Sequence, residues 1–148
     1  MCIRDRKNPH PRLWELIAET ALEKGNLAVA ERSFIKTENY HGVQLIARLN
    51  QYGEEKSKQK AEISAWFGRY EEAEEIYRKI DRLDLALDMR RKLGDWPRVV
   101  QLIEQGAGND ADLKNAYKHL GDYSAERGKW AKAAKYYGTA QDLSLIHI

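Results

Sequence analysis

The 148-residue sequence has one cysteine, three prolines and no long apolar run. A single cysteine excludes an internal disulfide and a zinc site made from several cysteines. Because no stretch reaches the roughly 18 apolar residues that a bilayer requires, no segment is predicted to span a membrane. So few prolines leave long stretches in which helices are uninterrupted, and the composition is typical of a soluble helical protein.

The chain also has no large excess of one charge. It has 25 Lys and Arg against 23 Asp and Glu, a net charge of +2. This balance does not favour a nucleic-acid surface, for which a clustered basic face is expected. The four Trp, eight Tyr and two Phe are too many for a disordered chain. The length suits one domain or part of a larger array.

The two ends of the sequence have a common explanation in DNA. Residues 1–5 can be encoded by DNA whose reverse complement encodes Ser-Leu-Ile-His and the start of Ile, the residues at 144–148. One inverted element, similar to the transposon adapter of a sequencing library, explains both pentapeptides. We therefore expect 1–6 and 143–148 to be adapter-derived and 7–142 to be a fragment that carries the fold.

Glycine marks a template that occurs four times: Gly-x-Φ-x-x-small-x-x-x-Φ, where Φ is apolar or aromatic. The positions after each glycine share one helix face, and the glycine suits the left-handed end of the preceding helix. We expect each large residue to fill a gap on a neighbouring helix and each small one to permit close approach. The copies are Gly25-Leu27-Ala30-Phe34, Gly68-Tyr70-Ala73-Tyr77, Gly94-Trp96-Val99-Ile103 and Gly128-Trp130-Ala133-Tyr137.

The segments before the first and last template also agree with each other. Four residues before each of these glycines have the same offsets, which are those of a tetratricopeptide first helix: Trp14, Ile17, Ala18 and Ala21 before Gly25, and Tyr117, Leu120, Gly121 and Ser124 before Gly128. The intervals between template glycines are 43, 26 and 34 residues, and only the last equals the standard period. The sequence therefore predicts an all-α fold, an α-solenoid of irregular tetratricopeptide-like helical pairs.

Nine helices are predicted, and no alternating β-branched run indicates a strand. Proline at 11 and 97 suits the first turn of a helix, and the Gly-rich segment 106–110 is predicted to be a loop. The predicted helices are 11–24, 27–37, 42–51, 54–66, 70–80, 83–93, 96–105, 111–126 and 129–141.

The sequence predicts no catalytic, cofactor or metal site. His10, His41 and His119 lack a metal-ligand spacing. His119 and Asp122 lie one helical turn apart, which more often indicates a polar surface pair than half of an acid–base site. Gly121 and Gly128 do not form a phosphate loop, because their spacing is wrong and Trp130 occupies the place of the magnesium-binding hydroxyl residue.

Two charged groups are interpreted as solvated helix faces. The acidic group could bind a cation, and the basic group could contact an acidic partner or a lipid head group, but charge facing water is the favoured interpretation of both. The acidic group is Glu71, Glu72, Glu74 and Glu75, and the basic group is Lys129, Lys132 and Lys135. Lys56, Lys58 and Lys60 alternate by two, so the three do not share one helix face.

Four runs of residues in order resemble a known family. They are 10–14, 67–74 (Phe-Gly-Arg-Tyr-Glu-Glu-Ala-Glu), 84–96 and 120–130 (Leu-Gly-Asp-Tyr-Ser-Ala-Glu-Arg-Gly-Lys-Trp). Together they resemble the helical-repeat region of the WD repeat-containing protein 35 family, which are subunits of intraflagellar transport complex A.

The resemblance implies a scaffold without enzymatic activity or cofactors. Its implied partners are other complex A subunits, and its implied location is the cilium and ciliary base on the cytoplasmic side. The implied roles are retrograde transport and entry of membrane proteins into the cilium. Nucleic acid is not an implied partner, and indirect or weak membrane association is left open.

Two alternatives stand beside this hypothesis. One is a vesicle-coat or tetratricopeptide adaptor that binds peptides in a groove, which should show ordered Asn, Lys and Arg on successive first helices. The other is an enzyme, which would need convergent ionisable groups in a cleft. We also expect the isolated fragment to be marginally stable or self-associating, because stacked repeats bury apolar faces against neighbours.

Overall fold

A computed structural model describes residues 10–146, and this part of the chain contains helices and no strand. The all-α class of tetratricopeptide-like helices is confirmed, and each of the nine predicted helices is present. The helices are α1 (Pro11–Glu23), α2 (Leu27–Lys36), α3 (Tyr40–Gln51), α4 (Lys56–Trp66), α5 (Tyr70–Lys79), α6 (Leu83–Leu93), α7 (Trp96–Glu104), α8 (Asp110–Glu126) and α9 (Trp130–Ile146). None of them is both long and apolar enough to cross a bilayer.

The structure describes only part of the two predicted adapter-derived ends. Residues 1–6 and the last two residues of 143–148 lie outside the described residues. The backbone of 143–146 is helical and continues α9, which the sequence predicts to end at 141. The proposed adapter origin of both segments concerns the encoding DNA and remains a prediction.

The template glycines end helices by one shared pair of hydrogen bonds. At the end of α1, the Gly25 N–H donates to the Leu22 carbonyl over 3.0 Å and the Asn26 N–H donates to the Ala21 carbonyl over 2.8 Å. Gly25 has a φ of 76°, in the left-handed region. Glycine adopts this conformation at little cost because it has no Cβ. The same pair of bonds closes the helices that end before Gly68, Gly94 and Gly128.

Two helices end in the same way without a glycine. Glu38 after α2 and Asp81 after α5 have φ of 55° and 58° and make the same pair of backbone hydrogen bonds. Counting glycines therefore misses these helix ends. The 43-residue interval between Gly25 and Gly68 contains α2, α3 and α4, whereas each of the next two intervals contains two helices. The irregular glycine spacing reflects this additional helix.

Side-chain caps begin several helices. Asn39 Oδ1 accepts a hydrogen bond from the Gly42 N–H at the start of α3 over 3.0 Å. Asn109 and Asp112 form a reciprocal capping box at the start of α8. Arg91 of α6 donates to the Asp112 carboxylate over 3.1 Å, so this cap also ties α8 to α6.

The described chain forms two compact units, one up to Ile76 and one from Tyr77. In the first unit the Phe34 ring packs edge-on against Trp66, with ring centroids 5.8 Å apart. Burial of each large aliphatic side chain there stabilises the unit by roughly 1.5–3 kcal/mol. The buried core residues are Ala18, Ala21, Leu22, Ala30, Phe34, Leu45, Ile46 and Leu49.

The second unit has its own core. Trp96 at the start of α7 stacks on His119 of α8 with ring centroids 3.9 Å apart. Tyr117 and Tyr136 stack at 6.2 Å and connect α8 to α9. The buried aliphatic residues include Ala86, Leu87, Val99, Leu102, Ile103, Ala116, Leu120, Ala133 and Ala140.

Candidate interaction surfaces

The repeat-signature residues divide into buried and exposed groups. Nine of them have buried side chains or, for glycine, a buried backbone: Ala30, Phe34, Ala73, Tyr77, Val99, Ile103, Leu120, Gly121 and Ala133. Four are half-buried: Trp14, Leu27, Tyr70 and Trp96. Seven are exposed: Ile17, Gly25, Gly68, Gly94, Gly128, Trp130 and Tyr137. The buried group supplies helix contacts within each unit, and the exposed large residues mark surfaces open to other proteins.

Trp130 departs from the expectation that every large template residue fills a gap. Its side chain is 70% exposed, so the predicted packing of Trp130 on a neighbouring helix is wrong for this chain. Ala133 and Ala140 on the same stripe of α9 are buried, and the Tyr137 ring lies against Gly121 of α8, whereas Trp130 is the first residue of α9 and stands at the end of that stripe. We call Trp130 and Tyr137 the α9 aromatic face.

A second exposed apolar surface lies on α1. Leu13, Leu16 and Ile17 are 51%, 42% and 39% exposed, and we call them the α1 apolar face. They line an open groove of about 590 Å³, together with Thr20, Ala21, Lys24, Asn26 and Val29. Contiguous apolar side chains of this kind mark contact surfaces more often than isolated ones do.

Tyr137 of the α9 aromatic face and Tyr123 of α8 both have charged partners. The Tyr137 hydroxyl donates to the Asp122 carboxylate, and this hydrogen bond raises the pKa of Tyr137 above its ordinary value. The Arg127 guanidinium lies 4.1 Å from the centre of the Tyr123 ring, a cation–π geometry. Both exposed rings therefore contact a charged side chain.

His119 and Asp122, the pair one helical turn apart, contact different partners in the structure. His119 Nδ1 lies 2.9 Å from the Asn115 carbonyl oxygen, and its ring stacks on Trp96. Asp122 accepts from Tyr137 instead. His10 Nδ1 accepts from the Arg12 N–H over 3.2 Å at the start of α1. Among residues 10–146, no three His, Cys, Asp or Glu side chains are grouped as metal ligands.

The acidic group and the basic group differ in their exposure to solvent. Lys129, Lys132 and Lys135 are all exposed, whereas in the acidic group Glu74 is buried at 4% exposure. The interpretation of the acidic group as a wholly solvated face is therefore wrong at Glu74, which lies beside buried Ala73 on the inward side of α5. Periodicity alone does not reveal this, because the four glutamates surround most of the helix.

The glycines considered for a phosphate loop have structural roles. Gly121 lies inside α8, where a Cβ would come within 2.5 Å of the Tyr137 ring. Gly128 has φ of 71° and ends α8. Gly108 lies in the loop before α8, and a Cβ there would meet Asp112 at 2.9 Å and Leu87 at 3.1 Å.

Short helices that end in a shared cap and place small residues beneath aromatic rings define the class of tetratricopeptide-type helical repeats. The chain belongs to the family described as the IFT80/172/WDR35/WDR19 TPR domain, whose family model matches residues 13–142.

Individual relatives agree with this assignment. The chain is 48% identical over 132 residues to WD repeat-containing protein 35 of both Rattus norvegicus and Homo sapiens, which covers 88% of this chain. It is 30% identical over 104 residues to WD repeat-containing protein dyf-2 of Caenorhabditis elegans, which covers 70% of this chain. The chain spans 11% of the length of the two mammalian relatives and 7% of the nematode one.

Proposed function

We propose that this chain is a scaffold segment of an intraflagellar transport complex A subunit, which binds neighbouring proteins and catalyses no reaction. The observation that carries this proposal is the 48% identity to WD repeat-containing protein 35 over 88% of the chain. The family model named for intraflagellar transport proteins supports it over residues 13–142.

The surface chemistry supports a role in protein contacts. The α1 apolar face and the α9 aromatic face combine exposed apolar side chains with a polar rim, as protein-binding patches do. The partners we propose are other complex A subunits, in retrograde ciliary transport and in ciliary entry of membrane proteins. The proposed location is the cilium and ciliary base, on the cytoplasmic side of the membrane, and any membrane association is indirect or weak.

The ionisable side chains that a catalytic site would use have structural partners. Glu62 accepts from Tyr52 over 2.6 Å, Asp112 belongs to a capping box, and His119 stacks on Trp96. Groups held in this way stabilise helices, and these three lie on two separate helices, α4 and α8. The proposal of a scaffold without catalytic activity rests on these contacts and on the family.

A chimera tests the proposal. Residues 13–142 replace the matching segment of rat WD repeat-containing protein 35, and the tagged chimera is captured from ciliated cells that lack their own copy. We expect recovery of the other complex A subunits and restored cilia. A version without the segment is the matched negative control. Capture of no complex A subunit by a stably expressed chimera, while the unmodified rat protein captures them, would contradict the proposal.

A further inference from the structure

A cleft in the first unit has twice as many cationic as anionic side chains in its lining. It lies between the end of α1, the first part of α4 and the start of α5, and its volume is about 450 Å³. We call it the basic cleft. Its cations are Lys24, Lys56, Lys60 and Arg69, and its carboxylates are Glu23 and Glu72.

The α4 lysines of the cleft share one helix face. Lys56 and Lys60 are four residues apart, so both project from the same side of α4. Lys58 projects elsewhere: it pairs with Glu55, and its Nζ lies 5.8 Å from the centre of the Tyr52 ring. Because the three lysines alternate by two in the sequence, Lys58 lies on a different side of α4. Lys56 and Lys60 remain together in the cleft.

Three of the four cations in the cleft form no ion pair with the described residues. Arg69 forms an ion pair with Glu23. Lys24, Lys56 and Lys60 are exposed, and no carboxylate of residues 10–146 forms an ion pair with them. Three ammonium groups around one concavity attract an anionic ligand and set its orientation.

The remaining lining residues include buried polar side chains and one aliphatic side chain. Gln59 is 9% exposed, and its Nε2 donates to the Leu49 and Gly53 carbonyls, each over 3.0 Å. Ser64 is also buried, and Ile63 contributes an aliphatic side chain to the lining. A ligand that fits this lining carries an apolar group as well as negative charge.

We propose that the basic cleft binds an acidic peptide segment of a partner protein, with two or three Asp or Glu next to an aliphatic residue. The peptide carboxylates pair with Lys24, Lys56 and Lys60, and the aliphatic side chain contacts Ile63. The inference rests on the proposed scaffold function only in taking the ligand to be a protein.

Other anionic ligands fit the cleft less well. Glu23 and Glu72 in the lining repel a densely charged polyanion such as heparin or a nucleic acid. A flat lipid surface does not enter a concavity of about 450 Å³ between three helices. A short peptide has both the low charge density and the shape that the cleft requires.

Fluorescence anisotropy on the full 148-residue chain tests this inference. The probe is a fluorescein-labelled peptide of three Asp-Glu-Leu triplets, and the comparison peptide has three Asn-Gln-Leu triplets. The double variant Lys56→Gln with Lys60→Gln removes two cations from the cleft. The matched control, Lys132→Gln with Lys135→Gln, removes the same charge from exposed positions of α9. Circular dichroism checks that all variants remain helical.

We expect the acidic peptide to bind and the neutral one to bind at least about tenfold more weakly. The cleft variant should lose at least about threefold in affinity, as two partly screened ion pairs would, while the α9 control is unchanged. Glu72→Gln should tighten binding, because it removes a repelling carboxylate from the lining. This last variant gains function, so it cannot be confused with a failure to fold.

Several results would overturn the inference. One is equal binding of both peptides, and another is an equal loss of affinity in the two double variants. A third is binding to phosphatidylserine vesicles or heparin through Lys56 and Lys60 without binding of the acidic peptide. None of these results changes the expected capture of complex A subunits by the chimera, so the two proposals fail separately.

Discussion

The Phe34 ring lies directly against the backbone of Gly42. A Cβ placed on Gly42 would come within 2.4 Å of Phe34 Cδ1. Phe34 is 4% exposed, and its ring is held against Trp66, so the ring has no room to move aside. The α2 and α3 helices therefore approach to a distance that only glycine at position 42 permits.

Substitution of this glycine should destabilise the first unit. We expect Gly42→Ala to lower the free energy of unfolding by about 1–3 kcal/mol, the cost of overpacking a closed core. Gly138→Ala is the matched control, because Gly138 lies in α9 and a Cβ added there would meet no atom within 4 Å. It should raise stability by up to about 1 kcal/mol through helix propensity. Urea denaturation followed by circular dichroism measures both, and equal effects would contradict the packing described.

Replacing Glu38 with glycine should stabilise the chain against unfolding. The φ of 55° at Glu38 lies in the left-handed region, which costs a residue with a Cβ about 1–2 kcal/mol. After the entropy that glycine loses on folding is subtracted, Glu38→Gly should raise the free energy of unfolding by roughly 0.5–1 kcal/mol. Glu19→Gly, on an exposed position of α1, should lower it by about 1 kcal/mol. Thermal melts that show the same sign for both variants would rule out this account of the helix end.

Tyr52 predicts a dependence of stability on alkaline pH. Burial and the 2.6 Å hydrogen bond from its hydroxyl to Glu62 raise the pKa of Tyr52 to about 12. Because folding raises the pKa, the stabilisation is complete below pH 10.0, the ordinary value, and is lost as pH rises through about 12. Tyr52→Phe should therefore show a shallower loss of stability over this range.

Absorbance titration of tyrosinate checks the same group directly. The folded chain should contain one tyrosine that titrates near pH 12 and disappears in Tyr52→Phe. Glu62→Gln should shift that titration towards lower pH, because it removes the carboxylate that disfavours the phenolate. A titration unchanged by both substitutions would show that Tyr52 does not have this environment.

The sequence predicts the helices well because most of them carry local signals at their ends. Asn26, Asn39 and Asn109 are N-cap residues, and a left-handed glycine follows several helices. These signals depend on residues within a few positions of each other, so they are readable without the fold. Glu38 and Asp81 end helices without such a signal, since their left-handed conformations are imposed by the surrounding structure.

Surface properties are harder to predict because they depend on contacts between helices. Trp130 has the same template position as the half-buried Trp96, but Trp96 has His119 to stack on, whereas Trp130 is 70% exposed. The basic cleft is likewise not evident from the sequence, because it joins Lys24, directly after α1, to Lys56 and Lys60 of α4 across more than 30 positions. The i,i+4 spacing along α4 shows that Lys56 and Lys60 share a helix face, but it does not show that Lys24 lies near them.

The central claim is that the α1 apolar face and the α9 aromatic face are protein-contact surfaces. Sedimentation velocity of the 148-residue chain over a range of concentrations tests it most directly. We predict self-association that Leu16→Glu with Trp130→Glu abolishes without loss of helicity. Tyr40→Glu, at a residue that is 73% exposed and outside both faces, should leave it intact. A concentration-independent monomer of the unmodified chain would contradict the claim.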